Sequence, residues 1–154
     1  MTGRADRLAA LGLTLPPVAA PVAAYVPAVV AGGFVYTSGQ LPTVDGKLPA
    51  VGKVGGEVSA PDAAVLARTC ALNAIAAAAA AAGGLDAIGR IVKVTGFVAS
   101  APGFSGQPQV VNGASELLIE VFGEDGRHAR SAVGVAELPL NAPVEVELIA
   151  QIRS

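Results

Sequence analysis

The stretch His128–Ala150, HARSAVGVAELPLNAPVEVELIA, decides how the rest of the chain is read. It divides into two strand-like runs around a proline-containing connection. In the first, His128, Arg130, Ala132, Gly134 and Ala136 share one face, and Ser131, Val133 and Val135 the other. In the second, Val144, Val146 and Leu148 alternate with Glu145, Glu147 and Ile149. A period of two marks half-buried strands. Between them, residues 137–143 cannot extend a ladder, because Pro139 and Pro143 lack a backbone donor. Arg130 stands mid-strand among small residues, with room around its guanidinium. A planar five-donor fork in such a place suits a carboxylate or phosphate. An acidic neighbour at a subunit contact would satisfy it as well.

Read as one antiparallel hairpin, the two runs pair positions that sum to about 280. Arg130 then faces a residue near Ala150, and Glu145 one near Val135. In that register the two side chains lie roughly 17 Å apart, too far for one small ligand to touch both.

Working outward, Arg90–Ala99 alternates as a further strand, and Val110–Phe122 reads as a helix with Val111, Leu117 and Leu118 inward. Ser59 caps a longer helix, with Pro61 in its first turn and Asp62 three residues after the cap. That helix runs to about Ala82 and stops at Gly83-Gly84. Its expected inner face is Val65, Leu66, Thr69, Leu72 and Ile75. Tyr25–Val30 and Phe34–Ser38 are strand-like, with Ala31-Gly32-Gly33 as a hairpin turn. Residues 41–58 form a long loop of the kind that covers a site or a subunit contact. Ala5–Leu11 makes a short helix, and the Pro-rich residues 14–21 run extended. The order strand, strand, helix, strand, helix, strand, strand predicts an α+β fold, a two-layer sandwich with two helices on one face of a mixed sheet.

Composition narrows the function classes. The 154 residues make one domain, preceded by an N-terminal extension over residues 1–23. A net charge of −2 offers no basic face for nucleic acid. Cys70 is the one cysteine and His128 the one histidine, so an intramolecular disulfide is excluded and a histidine-based metal site has no support. Cys70 reads as a small buried residue rather than a nucleophile. The longest apolar run, residues 74–82, is far short of the roughly 20 residues that span a bilayer. Prolines at 16, 17 and 21 interrupt any signal-peptide core, so a cytoplasmic, membrane-free protein is expected. Only 14% charged residues points to an oligomer that buries surface between copies.

Several separated motifs then occur together. Ala129-Arg130-Ser131, Val133, Val135, Leu138-Pro139 and Val144-Glu145-Val146-Glu147 resemble the C-terminal signature of the RidA/YjgF family of enamine/imine deaminases. Residues 36–42, YTSGQLP, are similar to that family's second signature, and Asn73, Val94-Thr95, Phe97-Val98 and Val111-Asn112 follow in order. The resemblance covers roughly residues 24 to 152 of the chain, leaving the N-terminal extension mostly outside it. It implies a chorismate-mutase-like homotrimer with ligand clefts between subunits. It also implies cofactor-independent hydrolytic deamination of a reactive 2-imino acid, with Arg130 holding the carboxylate.

By the same resemblance Glu145, fifteen residues after Arg130, is the catalytic carboxyl, able to hold a water and protonate the departing amine. Tyr25, Ser38, Gly39 and Asn112 fall at cleft-lining positions. Each has a plainer reading: solvated edge glutamates, a half-buried tyrosine, an asparagine at a helix start. Three departures bear on the substrate. His128 stands where the family commonly has proline, and Ala132 and Gly134 where it often has larger or polar residues, which implies a wider cleft. These same departures keep open a trimeric sensor that binds a small carboxylate without turnover. Ribonuclease activity, attributed to relatives, finds no histidine pair here.

Overall fold

A computed structural model describes residues 2–21 and 23–154; Met1 and Val22, both inside the expected N-terminal extension, lie outside the described residues. The strands are β1 (Ala28–Ala31), β2 (Phe34–Thr37), β3 (Ile88–Ala99), β4 (Ala129–Val135) and β5 (Val144–Ile152), and the helices α1 (Arg4–Ala10), α2 (Ala60–Ala82) and α3 (Gln107–Phe122). The sheet order is β1-β2-β5-β3-β4. β3 and β4 run parallel, and the other neighbours antiparallel. The fold is the two-layer α+β sandwich that the element order predicts.

The expected hairpin between β4 and β5 does not form. β3 lies between them, pairing Val94 with Arg130 on one side and with Leu148 on the other. A tight hairpin needs a short turn. Residues 136–143 instead carry a single 3-10 turn, in which Leu140 and Asn141 adopt φ of 58° and 60°. That length suffices to cross the end of β3 and return beyond it. Strand pairing is set by such non-local geometry, which alternation within each run does not encode.

Local signals fare better. Ser59 accepts a hydrogen bond from the Asp62 amide at 3.2 Å, and Gly83 closes α2 at φ 97°. Gly32 and Gly33, at φ 58° and 82°, turn β1 into β2. The inner face of α2 departs from expectation. Leu66 and Ile75 are buried, but Val65 is 65% exposed, and the contact is completed by Ala63, Ala67, Cys70, Ala74 and Ala78. With alanine all round, the size of a side chain no longer marks which face approaches the sheet. α2 is long and apolar enough to span a bilayer by composition, yet 67% of its most apolar window is buried inside this fold.

Close packing fixes α3. A Cβ on Gly96 of β3 would collide with the Val111 side chain, and one on Gly113 would meet the Ala64 carbonyl of α2. α3 is therefore pressed against both β3 and α2, with its flank beside β4. Asn73, buried in α2, donates through Nδ2 to the carbonyls of Leu41 and Thr43 at 2.9 and 3.1 Å and pins the start of the long loop. α1 is held by Arg4, which donates to the Gly89 carbonyl at 2.6 Å, pairs with Asp125 at 2.9 Å, and stacks on Phe122.

Candidate functional site

Arg130 shares a row with buried Val94 and so points toward the helix layer, at the sheet edge. Its Nη1 donates to Asn112 Oδ1 at 2.8 Å and to Ser115 Oγ at 3.2 Å. Nη2 makes a longer bond, 3.4 Å, to the Pro108 carbonyl. Asn112 and Ser115 are neighbours on the α3 flank, three residues apart. A guanidinium has five hydrogens. Both on Nη1 are engaged, and one on Nη2. Nε donates to nothing among the described residues, and Nη2 makes only the long bond to Pro108. A held fork with Nε unengaged and Nη2 weakly engaged suits a carboxylate.

His128 sits one turn of the pleat before Arg130. Its Nδ1 is 2.6 Å from the Gly126 carbonyl, which can only accept, so Nδ1 carries the proton. Nε2, 2.9 Å from Ser115 Oγ, is then the acceptor of the neutral ring. Burial holds the imidazole pKa below its usual 6.5; the Gly126 bond opposes this, and the Arg130 charge reinforces it. Sequence reading missed Ser115, which follows no motif. The available signal was the lone histidine two residues before Arg130, on the same strand face.

Glu145 shares a row with Phe97 and points to the face without helices. The reason for its surroundings is a bulge. Tyr36 pairs with Ile149 and Gln40 with Val146, so β2 takes four steps where β5 takes three. Thr37 Oγ1 accepts from the Leu148 amide at 3.0 Å within this irregularity. Gly39 is thereby laid on Glu145: a Cβ there would be 2.7 Å from both Cδ and Oε2 of the carboxyl. Burial raises the Glu145 pKa above 4.5, and repulsion from Glu147 adds to it. Ser38 Oγ donates to the Val26 carbonyl at 2.6 Å, tying the segment that carries half-exposed Tyr25 to the same corner.

The expected site residues therefore fall into two groups. Arg130 and Asn112 form one, on the helix side of the β4 edge. Glu145 and Gly39 form the other on the open face, with Ser38 next in the chain and tied to Val26, the neighbour of Tyr25. Within the chain Gly39 accompanies Glu145. Along β3 the rows of Arg130 and Glu145 are three residues apart, roughly 10 Å, and their strands are separated by about another 10 Å across the sheet. The hairpin register was wrong, but the two groups still do not meet within one chain.

Ala132 and Gly134 continue the Arg130 face along β4. Cys70 is buried, its thiol directed at the Val144 carbonyl, 3.6 Å away, and burial raises its pKa well above the usual thiol range. Among the described residues no group of three His, Cys, Asp or Glu is placed to hold a metal. A depression of about 420 Å³ between residues 15–18 and the end of α2 has no ionisable side chain in its lining.

Comparison with known proteins agrees with this layout. Residues 5–152 match the model of the family described as YjgF/chorismate mutase-like, putative endoribonuclease. The chain is 44% identical over 151 residues to Protein TCP17 of Trypanosoma cruzi, covering 97% of this chain and 94% of that protein. It is 47% identical to Atu1372, a protein of unknown function from Agrobacterium tumefaciens, with a TM-score of 0.90 over 97% of this chain and 92% of that one. TdcF of E. coli, solved with bound serine, is 30% identical with a TM-score of 0.61, over 91% and 94% of the two chains. By its sequence, strand order and helix layer together, the chain belongs to the YjgF/chorismate mutase-like family.

Proposed function

We propose that this protein hydrolyses reactive 2-imino or enamine acids to 2-keto acids and ammonia, as a homotrimer whose clefts pair Arg130 of one subunit with Glu145 of another. The observation that carries this reading is the Arg130 guanidinium: its Nη1 is fixed by Asn112 and Ser115, while Nε is unengaged and Nη2 makes only a long bond. That Nε–Nη2 edge grips a 2-imino acid by its carboxylate and places C2 at a defined distance. Serine bound to TdcF is a small carboxylate of the same class.

The iminium carbon is already electrophilic, so the reaction needs no cofactor. Water adds to C2 while Glu145 takes one of its protons. The carbinolamine nitrogen then receives that proton and leaves as ammonia, while the hydroxyl proton returns to the Glu145 carboxylate and C2 becomes a ketone. Burial helps Glu145 here, because a raised pKa lets the carboxyl hold a proton long enough to deliver it. The separation of Arg130 from Glu145 within one chain is the reason for assigning them to different subunits.

That same separation favours a second reading, carboxylate binding without turnover, if copies assemble so that the two groups never meet. The test is release of ammonia and keto acid from imines generated in situ by an amino-acid oxidase. Release above the spontaneous rate, lost in Arg130→Ala and in Glu145→Ala, supports deamination. Saturable binding of pyruvate with no acceleration selects the sensor.

A further inference from the structure

We propose that Ser115 and His128 are positioning residues of the Arg130 site, and that filling this site with a carboxylate is coupled to uptake of a proton by His128. The proposal rests on the carboxylate reading of Arg130 above and adds two residues and a proton to it.

Ser115 has one hydroxyl proton and two lone pairs. It lies 2.9 Å from His128 Nε2 and 3.2 Å from Arg130 Nη1. With Nδ1 committed to the Gly126 carbonyl, Ser115 donates to Nε2 and accepts from Nη1. The neutral imidazole thus turns a serine lone pair toward the guanidinium. Together with Asn112 this occupies Nη1 and presents the opposite, side edge to a ligand.

Arg130 and the imidazole also sense each other's charge. Through Ser115 they stand within about 6 Å, a range at which one unit charge moves another group's proton affinity several-fold. The other charged groups at this end are Glu116 and Glu120 on α3, Glu124, Asp125 and Arg127 after it, and Arg90 on β3, all exposed, with Arg4 and Arg7 of α1 packed against Phe122 and Gly123. Several are engaged: Glu120 with Arg68, Glu124 with Arg127, Asp125 with Arg4, and Arg90 with the Arg127 carbonyl. Among the described residues Arg130 is the charge that shifts His128, after burial and the Gly126 bond.

A carboxylate on the fork cancels that charge, so the complex favours the imidazolium. The grip on Arg130 survives protonation, because Ser115 can accept from Nε2–H and from Nη1 together. By linkage, the ligand binds tightest below the free-site pKa of His128 and weakens as pH rises toward the higher pKa of the complex. At this distance in a half-wet site, the coupling amounts to roughly three- to tenfold in affinity.

Because the chain has one histidine, its ring signals in the NMR spectrum of the full protein need no assignment. The ring is titrated with and without saturating pyruvate, in wild type and in Arg130→Gln. Pyruvate should raise the wild-type imidazolium-to-imidazole ratio at fixed pH roughly three- to tenfold. Arg130→Gln should raise it without ligand, and pyruvate should then add nothing. Ser115→Ala should weaken pyruvate binding and Ser115→Thr should restore it. Saturable pyruvate binding that leaves the midpoint in place overturns this proposal alone, as does a midpoint indifferent to Arg130→Gln. Absence of any pyruvate binding brings down the carboxylate reading of Arg130, and this proposal with it.

Discussion

Gly39→Ala tests whether the bulge exists to hold Glu145. The added methyl would stand 2.7 Å from Cδ and Oε2 and 3.0 Å from Cγ of that side chain. Ordinary carbon contacts lie at about 3.5–4.0 Å, so the carboxyl must retreat by roughly 1 Å. The obstructing atoms are the end of a flexible side chain. Moving it off its rotamer costs about 0.5–1.5 kcal/mol, which lowers the melting temperature by at most about 6 °C in a chain of this size. Chemistry is less forgiving. A misplacement of about 1 Å can cost on the order of 100-fold in rate, near 2.7 kcal/mol of transition-state stabilisation. Carboxylate capture at Arg130 lies elsewhere and should persist. Steady-state deamination, followed by coupled ammonia detection, should therefore show kcat falling roughly 30- to 100-fold with KM little changed. A variant within threefold of wild type would refute the role given to Glu145. So would a variant that melts as early as a core mutant, since Gly39 would then serve the fold.

Arg130→Lys should lose most of the thermal protection that small carboxylates give, because an ammonium cannot present two coplanar donors; equal protection would make the arginine structural. Arg130→Ala and Glu145→Ala should each be inactive alone, and trimers reassembled from a mixture should regain activity; mixtures as inactive as their parents would exclude shared clefts. Glu145, with its pKa raised in the folded state, binds its proton more tightly there than in the unfolded chain. Folding stability should accordingly fall as pH climbs from about 4.5 through that raised value, and Glu145→Gln should flatten this slope in urea titrations. Gly113→Ala places a methyl against the Ala64 carbonyl, where neither backbone can yield, and should cost about 1–3 kcal/mol or more by the same titration.

What the sequence disclosed follows the range of each interaction. Ser59, Asp62 and Gly83 act within one helical turn, and residues 32 and 33 within one hairpin, so those boundaries are readable from neighbours alone. The insertion of β3 between β4 and β5 depends on a connection eight residues long and on which strand arrives beside it. Alternation constrains faces but not partners, which is why Arg130 and Glu145 were placed on credible strands in a wrong register. The alanines of α2 hid its inner face, because every side offers nearly the same apolar surface. Ser115 and His128 meet across the turn after α3, and no spacing rule announces such a pair. Gly39 was legible as a glycine near a site, but its partner was not, since a bulge chose Glu145.

The position of β5 has a consequence during synthesis. The last strand in chain order is the one that joins β2 to β3. Until residues 144–152 have been made, the hairpin β1–β2 and the pair β3–β4 have no sheet contact through which to recognise each other. A nascent chain therefore carries an unfinished edge on β2 from residue 37 onward, joined by a second on β3 from residue 99, until β5 is made. Exposed edges invite pairing with other nascent copies. At about 5–20 residues per second, the interval between completing β2 and completing β5 is roughly 6–23 s. Expression should thus be more sensitive to translation speed and chaperone supply than the stability of the finished sheet would suggest.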